Sequence, residues 1–137
     1  MAKTVLLLAL LSILLTPVSF ADSYARIVRL SDVDGTVDID RNTGQGFERA
    51  LLNSPITQGV RLKTGISGHA EVEFENGSII RLVGDSSVDF TQLSLRTNGE
   101  HVNEIQVGEG TVYVDYRHKN GDDFRVTVGN RAFDLTK

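Results

Sequence analysis

Four aspartates within a nine-residue stretch form the densest group of possible metal ligands in the chain: Asp32, Asp34, Asp38 and Asp40. Carboxylates at alternate positions can bind calcium, but a hand-type calcium loop also needs a glycine at its sixth position and a distant glutamate, and Gly35 comes too early. Asp38 and Asp40 alternate with Val37 and Ile39, as on a strand with one solvated face. We therefore interpret the aspartates as solvated, with Val37 and Ile39 inward, and expect no metal or other cofactor.

Three histidines and two glutamates are further candidates for catalysis or zinc binding. His69, His101 and His118 lack the spacing of a helical zinc pair such as H-E-x-x-H. Glu71 and Glu73 share a predicted strand face with His69, whereas glycoside hydrolysis requires two carboxylates set across a cleft. All five are expected on the surface, so the sequence predicts no catalytic residue and a protein that is not an enzyme.

Two serines and two tyrosines also carry groups that could react or bind. Ser67 and Ser78 lie near glycines, but neither has the G-x-S-x-G sequence of a nucleophile elbow, and both are interpreted as turn residues. Tyr113 and Tyr116, with Arg117 beside them, could form a small patch that stacks on a sugar or a peptide. A tyrosine can equally cover a sheet edge, so this ligand surface is a hypothesis.

Short runs with apolar residues at every second position must position these side chains, because that period is typical of β-strands. No window of about a dozen residues keeps helical spacing. The predicted strands are 24–30, 36–41, 69–74, 78–82, 87–93, 101–107, 111–116, 123–128 and 131–135, with 47–52 either a strand or irregular. Pro55 argues against a central strand around it. The sequence therefore predicts an all-β domain.

The clearest local prediction is a hairpin whose turn contains Asn76 and Gly77. Asn-Gly between two β-rich runs is a strong hairpin signal. On the first strand Ala70, Val72 and Phe74 share one face. The spacing of all the predicted strands, about 8 to 12 residues, fits a sandwich, a small barrel or a solenoid, so periodicity alone leaves these alternatives open.

The first 21 residues have the three parts of a secretory signal peptide: Lys3, an apolar segment, and small residues before a cut after Ala21. Ser12 and Pro17 interrupt or close the apolar run, which is short for a membrane span of roughly 20 residues. The chain has no cysteine, which excludes a lipid anchor at the cut. We therefore expect a periplasmic or secreted protein with one domain at 22–137 and no membrane span in the mature chain.

The net charge and the distribution of basic residues bear on which class of partner the protein binds. Removal of residues 1–21 takes away Lys3 and no acidic residue, which changes the net charge from −4 to −5. Binding to a phosphate backbone depends on clustered Lys and Arg, and the basic residues of this chain occur singly. Nucleic acid is therefore not an expected partner.

The stretch from Leu62 to Leu82 resembles the FecR-type periplasmic domain family. It contains an L-x-T-G turn, an alternating strand that ends in Phe74, an Asn-Gly-Ser hairpin and an Arg-Leu return strand. The family's G-x-V and V-x-x-G-x-V-Y-V segments are matched at 35–37 and near 105–114, so the resemblance covers about 27–128. The residues that carry it are Gly35, Thr64, Gly65, Asn76, Gly77, Ser78, Arg81 and Gly110.

This resemblance implies a β-solenoid-like stack of short strands in which glycines mark the corners. The family's founding members are membrane-spanning regulators of iron-uptake transcription that hold a sigma factor and contact an outer-membrane transducer. No cytoplasmic segment precedes the signal peptide here, so we expect an envelope binding or scaffold module, with an envelope protein or polysaccharide as its partner. A sensory component of a surface-signalling system is the alternative, and the natural protein could continue past Lys137.

Overall fold

The computed structural model describes residues 26–135, and they form eleven short β-strands. The strands are β1 Arg29–Asp34, β2 Val37–Asp40, β3 Phe47–Arg49, β4 Arg61–Thr64, β5 His69–Glu73, β6 Ile79–Leu82, β7 Ser87–Leu95, β8 His101–Glu109, β9 Val112–Asp115, β10 Asp123–Val128 and β11 Arg131–Asp134. No helix that could cross a membrane occurs in this part of the chain. The predicted signal peptide lies outside the described residues.

The strands form two sheets, which confirms the all-β prediction. Sheet A has the order β1-β5-β6-β9, and sheet B has the order β11-β10-β8-β7-β4-β2-β3. Eight of the nine strand pairs are antiparallel, and β8 with β10 is the parallel pair. Neither sheet closes into a barrel over residues 26–135. The layout is compatible with a sandwich and does not confirm the solenoid, in which successive coils would stack strand upon strand.

Most strand predictions agree with the structure to within a few residues. The hairpin is confirmed, since β5 and β6 pair antiparallel with Glu73 opposite Ile79. The first strand is displaced: it was predicted at 24–30, whereas β1 ends at Asp34. Strand β4 was not predicted as a strand, and only 47–49 of the uncertain stretch 47–52 pairs, as β3. Pro55 makes a single isolated bridge to Arg29, as expected for a residue without an N–H donor.

Side chains from both sheets meet in one apolar core. Its largest fully buried members include Phe90, Leu30, Ile39, Leu62, Leu82 and Ile105. Val37 and Ile39 are completely buried, which confirms the inward face predicted for β2. Phe74 packs edge-on against Phe124 with 5.0 Å between ring centroids, an arrangement that aromatic pairs prefer. The core therefore ties the β5–β6 hairpin of sheet A to β10 of sheet B.

The chain passes between the two sheets four times at one corner. These crossings are residues 35–36 between β1 and β2, 65–68 between β4 and β5, 83–86 between β6 and β7, and 110–111 between β8 and β9. Together they are called the glycine corner, because each contains at least one glycine. Their backbones stack on one another, with hydrogen bonds from Gly65 to Thr36 and from Asp85 to Gly65.

Candidate binding surface

The family-motif residue Gly65 lies in the glycine corner, and Thr64 precedes it as the last residue of β4. The buried Thr64 hydroxyl donates to the Val83 carbonyl at 3.0 Å and accepts the Ser86 N–H at 3.0 Å. A Cβ on Gly65 would lie 3.1 Å from that of Thr36, tighter than ordinary contact. These residues therefore hold the crossing at 65–68 against those at 35–36 and 83–86, which is a structural role.

Gly110, another motif residue, occupies the last crossing of the glycine corner. Its φ is +76°, and a Cβ there would lie 2.4 Å from the Asp85 carbonyl oxygen. The neighbouring Thr111 donates its N–H to the Ser86 hydroxyl at 2.9 Å and accepts from the same hydroxyl at 3.0 Å. Gly35 enters the corner in a similar way, with φ +64° and the Ser67 carbonyl oxygen 2.5 Å from its Cβ position.

Asn76, Gly77 and Ser78 form the turn of the β5–β6 hairpin and also bind a distant segment. Gly77 has φ +81°, and the Phe74 carbonyl accepts its N–H at 2.9 Å, so a glycine at this turn position avoids the strain of a side chain. The Asn76 amide donates to the Arg117 carbonyl at 2.7 Å, and the Ser78 hydroxyl accepts the Arg117 N–H at 2.9 Å. The turn therefore fixes the chain just after β9.

The outer face of sheet A carries charged side chains in cross-strand pairs. Glu71 accepts from Arg81 at 2.5 Å, and Glu73 accepts from Arg29 at 2.5 Å. His69 Nε2 lies 3.5 Å from an Asp32 carboxylate oxygen and 3.7 Å from one of Glu71. Two glutamates that are each paired with an arginine on an open face do not form the cleft that glycoside hydrolysis requires.

The structure separates the four aspartates. Asp32 and Asp34 belong to β1 in sheet A, whereas Asp38 and Asp40 belong to β2 in sheet B. Lys63 Nζ is 4.0 Å from Asp38. Residues 26–135 contain no group of three or more acidic, histidine or cysteine side chains arranged to hold a metal ion.

The prediction that Asp40 is solvated is wrong. It is only 5 % exposed, because Phe47 of β3 and Arg61 of β4 lie beside it in register. Arg61 donates to its carboxylate at 2.5 Å and the Asn42 N–H donates at 2.8 Å. These two hydrogen bonds, the Arg61 one foremost, hold the pKa of Asp40 below its ordinary value.

The three histidines lie in different parts of the fold. His69 begins β5, and His101 begins β8 with its Nδ1 3.0 Å from both carboxylate oxygens of Asp122. His118 lies in the connection after β9, where its Nε2 is 3.1 Å from the Asn120 side chain. The structure does not bring the histidines together.

A polar groove of about 570 Å³ lies between the far ends of β7, β8 and β10. Its charged side chains are paired with one another. Arg96 contacts Asp123 and lies 3.3 Å from Glu100, and Arg125 donates to Asp134 at 2.6 Å. The Arg125 guanidinium beside Asp134 holds the pKa of that carboxyl below its ordinary value. The charged side chains in this groove therefore form ion pairs within the domain.

The structure does not bring Tyr113 and Tyr116 into one patch. Tyr113 is 57 % exposed on the outer face of β9, opposite Arg81. Tyr116 packs against the core, with its ring centroid 5.5 Å from that of Phe124. A surface for stacking would therefore have to use Tyr113 without Tyr116.

Sequence reasoning missed an apolar groove of about 270 Å³ where sheet A ends and sheet B continues. This open groove lies between β9 and β10 and is lined by Val107, Gly110, Thr111, Val112, Val114, Val126 and Val128. Alternating valines in the predicted strands 111–116 and 123–128 were the available signal. That signal gave no indication that the two strands lie at one end of the fold without a covering layer.

The fold is thus an all-β, two-sheet domain with a packed corner, and the comparisons with known proteins assign its family. A family model described as "FecR protein" matches residues 60–135, from the residue before β4 to the residue after β11. The match covers more than half of the chain, and the protein belongs to the FecR family. Residues 34–39, which also resembled the family, lie outside the match. Membership of this family fits an envelope-associated module.

One solved structure, described as "Cell surface anchoring domain", is 31% identical to this chain. The similarity covers 49% of this chain and 87% of that structure, with a TM-score of 0.43. No curated protein matches the sequence.

Proposed function

We propose that this protein is a non-enzymatic, exported binding or scaffold module of the bacterial cell envelope. The FecR family match over residues 60–135 is the observation that carries the proposal. The signal peptide expected at residues 1–21 supports export of the protein. The proposed partner is an envelope protein or a polysaccharide.

The side-chain geometry supports binding over catalysis. Glu71, Glu73 and Asp40 are each paired with an arginine. A general acid or base must reach the proton that it transfers. Carboxylates that already bind arginines across strands stabilise sheet pairing instead.

Partner capture in the native host tests this proposal. The full chain, with a C-terminal tag, is expressed, cross-linked in the intact envelope and purified, and the partners are identified by mass spectrometry. The control lacks residues 1–21 and is retained in the cytoplasm. We expect to recover cell-wall, polysaccharide or adhesion components with the full chain and not with the control. Equal recovery with both forms would contradict an envelope function.

A periplasmic sensory role in sigma-factor regulation is the second candidate, and the family assignment favours it as well. In the same capture experiment this role predicts recovery of an outer-membrane transducer or an anti-sigma protein. Neighbouring genes for a sigma factor and a transducer would also support it. Genes for secretion, adhesion or the cell wall would support the scaffold role.

A further inference from the structure

Sheet B extends beyond sheet A at one end of the domain. On the core-facing side of β10 and β11, Val126 pairs with Phe133 and Val128 pairs with Arg131. Val126 is buried, but Val128 and Phe133 are 47% and 48% exposed. An inward sheet face normally packs on a second layer, and within residues 26–135 no strand covers these two side chains.

The open groove runs along this uncovered face, and β9 forms its other wall. Val112 and Val114 of β9 line it together with Val126 and Val128 of β10. Its lining is almost entirely apolar, in contrast to the polar groove beside Arg96. A ligand that fits this groove must therefore present aliphatic side chains.

The wall formed by β9 is also an open sheet edge. The Val83 N–H donates to the Thr111 carbonyl at 3.3 Å, and the Arg117 N–H donates to the Ser78 hydroxyl. Both contacts point toward β6, so by alternation the N–H and C=O groups of Val112 and Val114 point away from it. Among residues 26–135 no partner bonds to these outward groups. The opposite edge of sheet A differs, because Asn53 and Ser54 bond to Leu30 of β1, and Ile56 bonds to Val28 just before this strand.

We propose that the open groove accepts one extended strand with aliphatic side chains at alternate positions, which pairs with the edge of β9 and covers β10 and β11. This inference rests on the proposed function and specifies the surface and the class of partner. The four residues of β9 give an edge of roughly 13 Å, which four to six partner residues would match. Every second partner side chain would then point into the groove.

The overhang of sheet B favours a single strand over a second copy of this protein. A symmetric dimer through β9 would place the β10–β11 hairpins of both copies beneath the same joined edge, where they would occupy the same space. Arg131, which is exposed and opposite Val128, forms no ion pair with another described residue. The fitting partner is therefore an alternating aliphatic strand with an acidic residue beside its apolar positions.

Synthetic octapeptides test the proposal with the full-length protein. The probe alternates valine with threonine and ends in a glutamate. One control has the same composition with contiguous valines, and a second is the probe with its alternate backbone nitrogens methylated. Backbone pairing requires free N–H donors, so we expect the probe to bind at least tenfold more tightly than either control and to slow amide exchange at Val112 and Val114.

Substitutions in the protein locate the site. Val128→Lys places a charge in the groove at an already exposed position, and we expect it to weaken probe binding at least tenfold. Tyr113→Lys, on the outer face of β9, is the matched control and should leave binding within about twofold. Circular dichroism spectra and melting temperatures verify that both variants fold.

Three results would overturn the proposal. These are no probe binding at millimolar concentration, equal binding of the methylated peptide, and a concentration-dependent dimer that Val128→Lys dissociates. The first two would leave an envelope function intact if the capture experiment still recovers envelope partners. Failure of that capture together with tight probe binding would instead contradict the proposed function and leave the groove assignment standing.

Discussion

The glycine corner and the open groove are both places where the two sheets meet. The backbone is closely packed at the corner, whereas the sheet edge is open at the groove. At the corner four crossings stack so closely that a Cβ on Gly68 would lie 2.1 Å from the Thr36 carbonyl oxygen. At the groove the β9 edge pairs with no other strand of residues 26–135, and Val128 is 47% exposed. The contrast indicates that the corner residues stabilise the fold, and that the open groove, which Gly110 and Thr111 of the corner help to line, is available to a partner where packing stops.

Paired glycine substitutions should give the largest difference between the two regions. Gly110 and Gly129 both have positive φ. A Cβ at Gly110 would lie 2.4 Å from a backbone oxygen, whereas a Cβ at Gly129 would have no atom of residues 26–135 within 4 Å. We expect Gly110→Ala to lower the free energy of unfolding by about 3 kcal/mol or more and Gly129→Ala by about 1 kcal/mol. Urea denaturation measures both, and equal losses would contradict close packing at the corner.

Removal of the Ser86 hydroxyl should have the next largest effect. Ser86→Ala leaves the part-buried Thr111 N–H without its partner and removes one of the two donors to the Thr111 carbonyl, and we expect a loss of roughly 1.5 kcal/mol. Thr91→Ala is the control, since this hydroxyl donates to Glu104 at an exposed site. A loss of at most about 0.5 kcal/mol is expected there, and thermal unfolding compares the two.

Acid should weaken the fold through Asp40 and Asp134. Arg61 and Arg125 respectively lower the pKa values of these carboxyls from 3.8. A lowered folded-state pKa stabilises the fold above the unfolded value, and this stabilisation is lost as the pH falls through the lowered value. We expect a nearly constant melting temperature from pH 7 to about 5 and a decrease below about pH 4. Asp40→Asn should show a smaller decrease, and an identical decrease would remove this pair as a cause.

Substitutions on the uncovered face of β10 and β11, beside the open groove, should have the smallest effect on stability. Phe133→Ser removes a ring that is 48% exposed, so we expect a change within about 0.5 kcal/mol. Phe124→Ala, one strand away and 2% exposed, is the matched control and should cost about 3 kcal/mol or more. A large loss from Phe133→Ser would mean that the face is already covered in solution.

Local patterns in the sequence predicted the β5–β6 hairpin and most strand bounds, because both depend on neighbouring residues. The environment of Asp40 depends instead on residues that are distant in the sequence. Asp38 and Asp40 occupy equivalent positions in the alternating pattern, and only Asp40 is enclosed, by Phe47 seven residues later and Arg61 twenty-one residues later. Strand register, which brings such distant residues together, is not visible in a single sequence.

The open groove could not be predicted from the sequence, because its position also depends on which distant residues come together. Gly65 and Gly110 were expected at corners, but their stacking in one corner depends on the order of strands in both sheets. The same order determines that β9 and β11 are terminal strands. A sequence that fits a sandwich, a barrel or a solenoid equally well cannot show which valines remain uncovered.

The stacking of four crossings at one corner also determines where the chain can change its length. Two connections at the far end contain glycines that are not packed in this way: Gly44, Gly46 and Gly99 have no atom of the described residues within 4 Å of their Cβ positions. Inserted residues there would project into solvent without disturbing a crossing. Gly99, in the turn between β7 and β8, is therefore a natural place for a grafted epitope, and the domain can present foreign loops from one end while its corner remains intact.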